Sequence, residues 1–202
     1  SEGCNFSNKV TSQEKPEIRV CNGLVKINGD WAPFSTDAWG ALEALKTVDC
    51  WEDKRIAIIG TGGTGQTIAQ TLKQQNITAT LVNRTIAKGE NIARKLNFSF
   101  IPLTHFDPSY FDIIIHATPL GKQNDEIPFQ LSKLHSGMLV IDHVYLKNDK
   151  TELVKYCELC NIKVIGGKEI ARIQIKKQFE TMTGQLFPQQ DAILMFKKLN
   201  TN

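Results

Sequence analysis

Apolar and polar positions along the chain follow two alternating patterns. Short apolar runs rich in β-branched residues, such as Ile113-Ile114-Ile115, are typical of strands covered on both faces of a parallel sheet. Between these runs, apolar residues recur at the spacing of one helix face. The predicted strands are residues 56–59, 80–82, 113–116, 139–142 and 163–165, and the predicted helices are residues 37–48, 65–75, 88–96, 151–160, 167–183 and 191–199. This alternation predicts an α/β fold with a doubly wound parallel sheet in three α/β/α layers, and ligands at the carboxyl ends of its strands.

A glycine-rich segment follows the first of these strands. Residues 60–65 read Gly-Thr-Gly-Gly-Thr-Gly and lead into the helix predicted from residue 65. Gly60 allows a tight turn, Gly62 lets the backbone approach a pyrophosphate, and the helix N-terminus offers unpaired N–H groups to phosphates. In this strand–turn–helix context the segment predicts a Rossmann-like dinucleotide-binding unit. The alternative is a glycine-rich turn that binds nothing.

The end of the second strand indicates which dinucleotide binds. An NAD site normally places a carboxylate there to accept hydrogen bonds from the ribose 2′-hydroxyl, but residues 83–85 read Asn-Arg-Thr and Lys88 follows. Arg84 can stack on adenine and pair with a 2′-phosphate, Thr85 can donate its hydroxyl, and Lys88 adds positive charge. The pattern favours NADP over NAD. The alternative is an exposed strand end with ordinary basic residues.

Three further strand ends carry small or ring-stacking residues, as a nicotinamide site requires. Residues 117–121 read Ala-Thr-Pro-Leu-Gly after one strand, residues 143–145 read His-Val-Tyr after the next, and two glycines, 166–167, follow the last. Each of these signals is weak by itself, because such residues are common in turns. Together they predict a nicotinamide site at the same edge of the sheet.

Composition narrows the possible functions. The formal net charge of +3 is too small to indicate nucleic-acid or membrane-surface binding. No apolar run reaches the length of a membrane span, and the N-terminus lacks the apolar core of a signal peptide. The five cysteines include one CxxC, Cys157 and Cys160, but neither a second pair nor nearby histidines. We therefore expect reduced thiols in a cytoplasmic protein, without a metal site.

Taken in order, these segments resemble the shikimate dehydrogenase family over nearly the whole chain. The family's GxGGxx turn is matched at residues 60–65, its NRTxxKA motif at residues 83–88, its ATPxG segment at residues 117–121, and its closing motif from Gly167 onward. The resemblance implies an NADP-dependent oxidoreductase of aromatic amino-acid biosynthesis that transfers hydride reversibly between NADPH and 3-dehydroshikimate, a small molecule of the shikimate pathway. The cofactor-binding residues that it implies are Gly60, Thr61, Gly62, Gly63, Thr64, Asn83, Arg84, Thr85, Lys88, Thr118, Pro119, Leu120, His143 and Gly167.

The resemblance also implies a set of substrate-binding residues. Residues 20–23 are similar to the family's AVNT motif and residues 35–40 to its NTDxxG motif. By these matches Asn22 would bind substrate, and Asp37 would bind substrate and serve as the catalytic carboxylate. Tyr145 and Gln174 match family positions that reach the substrate from the nucleotide domain, so the resemblance implies that they bind substrate as well. The residues alone leave alternatives open: Asp37 as a helix N-cap, Gln174 as a solvated helix residue and Tyr145 as a packed aromatic.

Finally, the resemblance divides the chain. Residues 1–36 correspond to the tail end of a substrate-binding domain, and residues 37–202 to an NADP-binding domain with closing helices. The family's catalytic lysine, in an NVTxPxK motif, would fall at about position 1 or before it, where Ser1 stands. We therefore expect a longer or bifunctional chain with an upstream fused domain. The alternatives are an inactive NADP- or shikimate-sensing regulatory domain, a quinate/shikimate dehydrogenase, and an enzyme like methylene-tetrahydrofolate dehydrogenase.

Overall fold

A parallel sheet of six strands forms the centre of the molecule, whose computed structural model describes residues 21–188. The strands are β1 (Gly23–Ile27), β2 (Asp30–Phe34), β3 (Ile56–Ile59), β4 (Thr80–Asn83), β5 (Ser99–Pro102), β6 (Ile113–His116), β7 (Leu139–Asp142) and β8 (Lys163–Ile165). Within the described range, the α-helices are α1 (Asp37–Leu45), α2 (Gly63–Gln74), α3 (Ile86–Leu96), α4 (Glu152–Leu159) and α5 (Gly167–Thr183). Strands β1 and β2 form a separate antiparallel hairpin ahead of the sheet.

The strand order of the large sheet is β5-β4-β3-β6-β7-β8, and all neighbouring strands run parallel. The chain builds outward from β3 to β5, returns to the centre, and then builds outward again from β6 to β8. This order confirms the predicted doubly wound α/β fold. Because the connections leave β3 and β6 in opposite directions, a crevice opens between them at the carboxyl ends of the strands.

Both faces of this sheet are buried. Every residue of β3, β6 and β7 is buried. One face packs against α1, α2, α3 and α5, and the opposite face packs against α4 and the segments that connect β5, β6 and β7. Alternate strand residues serve the two faces, with Ile58 in the first core cluster and Ile59 in the second. Burial of one such isoleucine stabilises the fold by roughly 1.5–3 kcal/mol, which explains why these strands are apolar except at the His116 and Asp142 ends.

The predicted elements agree closely with the observed ones. The strands predicted at residues 56–59, 113–116, 139–142 and 163–165 and the helix at residues 167–183 have the predicted bounds, while β4 extends one residue further, to Asn83. Helix α2 begins two residues earlier than predicted, at Gly63, so its first turn lies within the glycine segment. Helix α1 ends at Leu45, three residues early. The helix predicted at residues 191–199 lies outside the described residues.

Two features were not predicted. Strand β5 contains Pro102 and lies at the edge of the sheet, a position where a strand tolerates a proline. The β1–β2 hairpin turns at Asn28 and Gly29, whose φ angles of 52° and 96° are the left-handed pair of a two-residue hairpin turn. Asn-Gly between two short apolar runs is a strong hairpin signal, so the sequence contained the information for this element.

The cysteines of the described residues carry free thiols. Cys157 is fully buried on α4, and burial raises the pKa of its thiol to about 12, which keeps it protonated and unreactive near neutral pH. Cys160 is exposed and is not bonded to it. Cys157 therefore lacks the lowered thiol pKa of a redox centre. Among residues 21–188, no helix is both long and apolar enough to cross a membrane.

Candidate active site

The glycine turn between β3 and α2 is tightly packed on one side and open on the other. Gly60 has a φ of +98°, a conformation that residues with a side chain rarely adopt. A Cβ atom at Gly65 would lie 1.9 Å from the carbonyl oxygen of Gly60, so only glycine lets α2 start this close to the turn. A Cβ atom at Gly62 would meet nothing within 4 Å, and no side chain caps the helix that follows. The turn therefore presents a bare helix N-terminus, the arrangement that binds phosphate.

A cavity of about 220 Å³ opens beside this turn, at the ends of β3, β4 and β6. The predicted cofactor residues on its wall are Gly60, Thr61, Gly62, Asn83, Arg84, Thr85, Lys88, Thr118, Pro119 and Leu120. None of the described residues that line it is acidic. The fold thus brings most of the predicted cofactor set together, whereas Gly63, Thr64, His143 and Gly167 are not on this wall.

The end of β4 supplies the positive charge of this cavity. Arg84, Thr85 and Lys88 are exposed, and neither cation forms an ion pair or hydrogen bond with another residue between 21 and 188. Asn83 points inward, where its Oδ1 accepts a hydrogen bond from the Thr61 N–H at 3.2 Å and its Nδ2 donates to the Thr85 carbonyl at 2.9 Å. Asn83 therefore ties the glycine turn to the basic loop. Unpaired cations, a bare helix N-terminus and a lining without carboxylates fit a phosphorylated nucleotide.

Asp37 lies at the meeting point of four segments. It is the first residue of α1, and its carboxylate bonds side chains outside that helix. Its Oδ1 accepts hydrogen bonds from Asn22 Nδ2 at 2.9 Å and from Gln174 Nε2 of α5 at 3.1 Å. Its Oδ2 accepts one from Thr64 Oγ1 of α2 at 3.1 Å. The carboxylate is therefore held by neutral donors, and its bonds differ from those of a residue that caps its own helix.

The other predicted substrate residues differ in how closely they approach Asp37. The Asn22 amide also donates to Thr36 Oγ1 at 3.0 Å, and its Oδ1 accepts from the Thr36 N–H at 3.0 Å, so Asn22 fastens the start of α1. Gln174 uses its amide nitrogen on Asp37, and its Oε1 makes no hydrogen bond within the described part of the chain. Tyr145 is 50% exposed and has no hydrogen bond to the Asp37 group. Asn22, Asp37 and Gln174 are thus brought together by hydrogen bonds, and Tyr145 is not joined to them in this way.

A buried polar network at the ends of β6 and β7 was not predicted. His116 and Asp142 are 2% and 0% exposed, and His116 Nδ1 lies 2.9 Å from Asp142 Oδ1. His116 Nε2 lies 2.6 Å from Thr118 Oγ1, on the cavity wall. Asp142 also accepts hydrogen bonds from the Val144 N–H at 3.0 Å and from Thr151 Oγ1 at 2.5 Å. The sequence signal for this network was a polar residue closing each of two otherwise apolar strands.

His143 follows this network directly. Its Nε2 is buried without a hydrogen-bond partner among the described residues, a property shared only with Thr61 Oγ1 in that range. Burial is the main cause that lowers the pKa of the His143 imidazole to about 4, although the nearby Asp37 and Asp142 carboxylates oppose the shift. His143 is therefore neutral near pH 7. Both unpaired buried polar atoms belong to predicted cofactor residues.

The last predicted cofactor residue, Gly167, lies where α5 begins. A Cβ atom there would be 2.2 Å from the carbonyl oxygen of Val144, so the close packing of α5 on the β7 loop already requires glycine. Its nicotinamide role stays a prediction. A second cavity, of about 200 Å³, lies between this helix start and α4, and Gly167 lines it together with Val144 and Thr151.

Comparison with known proteins supplies family relationships for this arrangement. Residues 42–124 match the family model described as shikimate / quinate 5-dehydrogenase. A protein of Staphylococcus haemolyticus named shikimate dehydrogenase (NADP(+)) is 30% identical over 183 residues, which are 89% of this chain and 68% of that protein. The protein of the same name from Syntrophobacter fumaroxidans is 27% identical over 188 residues, 90% of this chain. The present chain spans 65% of the length of that relative.

Solved structures give the same relationship. A shikimate dehydrogenase crystallised in complex with NADP+ is 31% identical and superposes with a TM-score of 0.72, covering 84% of this chain and 63% of that one. Its identity is high enough to extend the likeness beyond the fold.

Proposed function

Because this chain belongs to the shikimate dehydrogenase family, we propose that it acts as an NADP-dependent shikimate dehydrogenase, with reversible hydride transfer between NADPH and 3-dehydroshikimate. The observation that carries the proposal is the hydrogen bond between Asp37 and Thr64. Thr64 directly follows the glycine turn whose residues form the cavity wall. A carboxylate therefore lies beside a basic nucleotide cavity, as coupled hydride and proton transfer requires.

NADP is the proposed coenzyme, and its charge fits the residues present. Arg84 and Lys88 would pair with the 2′-phosphate, Thr85 would donate its hydroxyl, and the N–H groups after Gly62 would face the pyrophosphate. When bound, NADPH supplies the hydride, and the protein supplies position and electrostatics. The relative crystallised with NADP+ supports this choice only through the family. The cavity, whose described lining contains no carboxylate, supports it from this chain itself.

Asp37 would hold and orient the substrate. A carboxylate that already accepts three neutral hydrogen bonds keeps a fixed direction, and a substrate hydroxyl that donates to it would be held in that direction. The unused Oε1 of Gln174 offers a second acceptor for a ring hydroxyl. Tyr145, which is half exposed, would contact the ring. Such groups suit a small polyhydroxylated substrate and would act by positioning it.

We also propose that residues 1–36 are the end of a substrate-binding domain and residues 37–202 the NADP-binding domain. The hairpin β1–β2 pairs only within itself among the described strands, while α1 contributes Leu45 to the core of the large sheet, which supports a boundary before Asp37. The free thiols of the described cysteines support a cytoplasmic location. An upstream fused domain remains part of the same proposal.

The test measures coenzyme binding and turnover in the complete natural polypeptide. Calorimetry with NADPH and NADH should show preference for NADPH, and shikimate with NADP+ should yield NADPH faster than quinate does. Asp37→Asn should lower turnover at least about a hundredfold while NADPH still binds. The matched control is Asp49→Asn, at an exposed carboxylate outside the cluster. Equal binding of NADH and NADPH, or full activity of Asp37→Asn, would contradict the proposal.

A further inference from the structure

Thr64 belongs to the glycine segment but does not line the nucleotide cavity. It is the second residue of α2, is partly buried, and is not on the cavity wall. Its hydroxyl lies 3.1 Å from Asp37 Oδ2. A hydroxyl has one proton to donate, so this proton is committed to Asp37 and is not available to a phosphate. The side chain of Thr64 therefore serves the carboxylate, and only its backbone can serve the coenzyme.

Counting hydrogen bonds at Asp37 shows which of its oxygens remains available. An ionised carboxylate accepts about four hydrogen bonds, two at each oxygen. Oδ1 already accepts from Asn22 and Gln174, whereas Oδ2 accepts only from Thr64 among residues 21–188. The remaining lone pair is therefore on Oδ2. A substrate hydroxyl or an ammonium group would bind the same oxygen atom that Thr64 holds.

We propose that Thr64 is a positioning residue that aims the free lone pair of Asp37 Oδ2 at the substrate and ties its direction to the glycine turn. This inference rests on the proposed function and adds a residue to it. Thr64 does not touch the reacting atoms, and it acts through Asp37. Because α2 starts at Gly63, the backbone that would face the pyrophosphate and the hydroxyl that holds Asp37 are on adjacent residues. The two halves of the site are thereby coupled through one hydrogen bond.

The test replaces the hydroxyl and keeps the shape of the side chain. In the complete natural polypeptide, Thr64→Val should lower kcat for shikimate oxidation about tenfold, the loss expected for one hydrogen bond to a charged group. The dissociation constant for NADPH should stay within about twofold, because the hydroxyl is not on the cavity wall. Thr64→Ser keeps the donor and should restore most of the activity. The matched control is Thr67→Val on the same helix, whose hydroxyl bonds only the Gly63 carbonyl, at 2.9 Å.

A second measurement decides the inference without turnover. Thr64→Val, Asp37→Ala and the double variant are compared by thermal unfolding, and the two single losses should not add, because each removes the hydrogen bond between Thr64 and Asp37. Additive losses would overturn the inference, as would a Thr64→Ser enzyme as slow as Thr64→Val or a Thr64→Val enzyme as fast as Thr67→Val. A wild-type protein without shikimate turnover would instead overturn the proposed function, and the unfolding comparison would then decide the role of Thr64 by itself.

Discussion

The strand ends that form the candidate site carry polar residues of two contrasting kinds. At the end of β4, Arg84 and Lys88 are exposed and have no ionic partner within residues 21–188. At the ends of β6 and β7, His116 and Asp142 are almost fully buried and bonded to each other. Water solvates an unpaired charge at the surface, whereas a buried polar group must find its partner inside the protein. The first region therefore keeps its charges available for a ligand, and the second uses its polar groups to hold the strand ends together.

The largest expected effect is at the buried end. Asp142→Ala should lower the free energy of unfolding by about 3–5 kcal/mol, because several buried donors, the His116 Nδ1 among them, would lose their acceptor. The Thr151 hydroxyl and the Val144 N–H would lose the same acceptor. Denaturant unfolding measures the change. The control is Asp149→Ala, because the Asp149 carboxylate is exposed and pairs with Lys155 at 3.1 Å. Equal losses in the two variants would show that the buried network contributes no more to the free energy of unfolding than an exposed ion pair.

The next effect is at the exposed end. Arg84→Ala should weaken NADPH binding about tenfold to a hundredfold, since one charge-assisted hydrogen-bonded pair is lost. NADH binding and the unfolding midpoint should hardly change, because the guanidinium makes no contact with residues 21–188 that folding depends on. Calorimetry with both coenzymes and a thermal melt measure these quantities. Arg94→Ala, at an exposed residue in the last turn of α3, is the control; unchanged NADPH affinity in Arg84→Ala would contradict the prediction.

A pH-dependent effect of similar or smaller size is expected at His143, which adjoins the buried network. The pKa of its imidazole is about 4 in the folded protein against an ordinary 6.5, so between these values the unfolded chain binds more protons. Its contribution to stability is therefore complete above about pH 6.5 and declines as the pH falls towards 4. Between about pH 7.5 and about pH 5 the loss should be roughly 2 kcal/mol.

Comparison with His143→Met isolates this contribution from all other titrating groups. Methionine does not titrate, so the difference in unfolding free energy between the two proteins should shift in favour of the variant as the pH falls. Urea unfolding at the two pH values measures it. A difference that stays constant with pH would show that the imidazole does not titrate as its burial requires.

The smallest effect is expected at the amino ends of β3 and β6, on the side of the sheet opposite the candidate site. Arg55 and Asp112 form an ion pair at 2.9 Å with side chains 60% and 30% exposed, and the Arg55 guanidinium lowers the pKa of Asp112 to about 2. The stabilisation is present above about pH 4 and is lost as the pH falls towards 2. Because the pair is largely solvated, Asp112→Asn should lower the melting temperature only slightly at pH 7. The two melting temperatures should converge near pH 2, and a large loss at pH 7 would contradict this reading.

Much of the sheet and of the coenzyme side could be predicted from the sequence. The runs at 56–59 and 113–115 were readable because a strand buried on both faces is almost continuously apolar. The glycine turn was readable because the φ of Gly60 and the space beside Gly65 exclude side chains. Strand β5 was not readable, because it begins at Ser99 and ends at Pro102 and so lacks the continuous apolar run of the central strands. The Asn28-Gly29 hairpin was readable and was missed.

Local signals of this kind reach only a few residues along the chain, and they account for the strands, the turn and the basic loop. Contacts between residues that are distant in sequence depend on how helices and strands pack in the fold. Gln174 meets Asp37 because α5 packs on α1, and His116 meets Asp142 because β6 and β7 pair in a register that places them side by side. Thr64 shows the difference most clearly: its motif associates it with the coenzyme, yet helix packing turns its hydroxyl to Asp37. Neighbouring residues determine the backbone conformation and the hydrophobic periodicity of a segment. The direction of a polar side chain depends instead on which segments the fold packs against it.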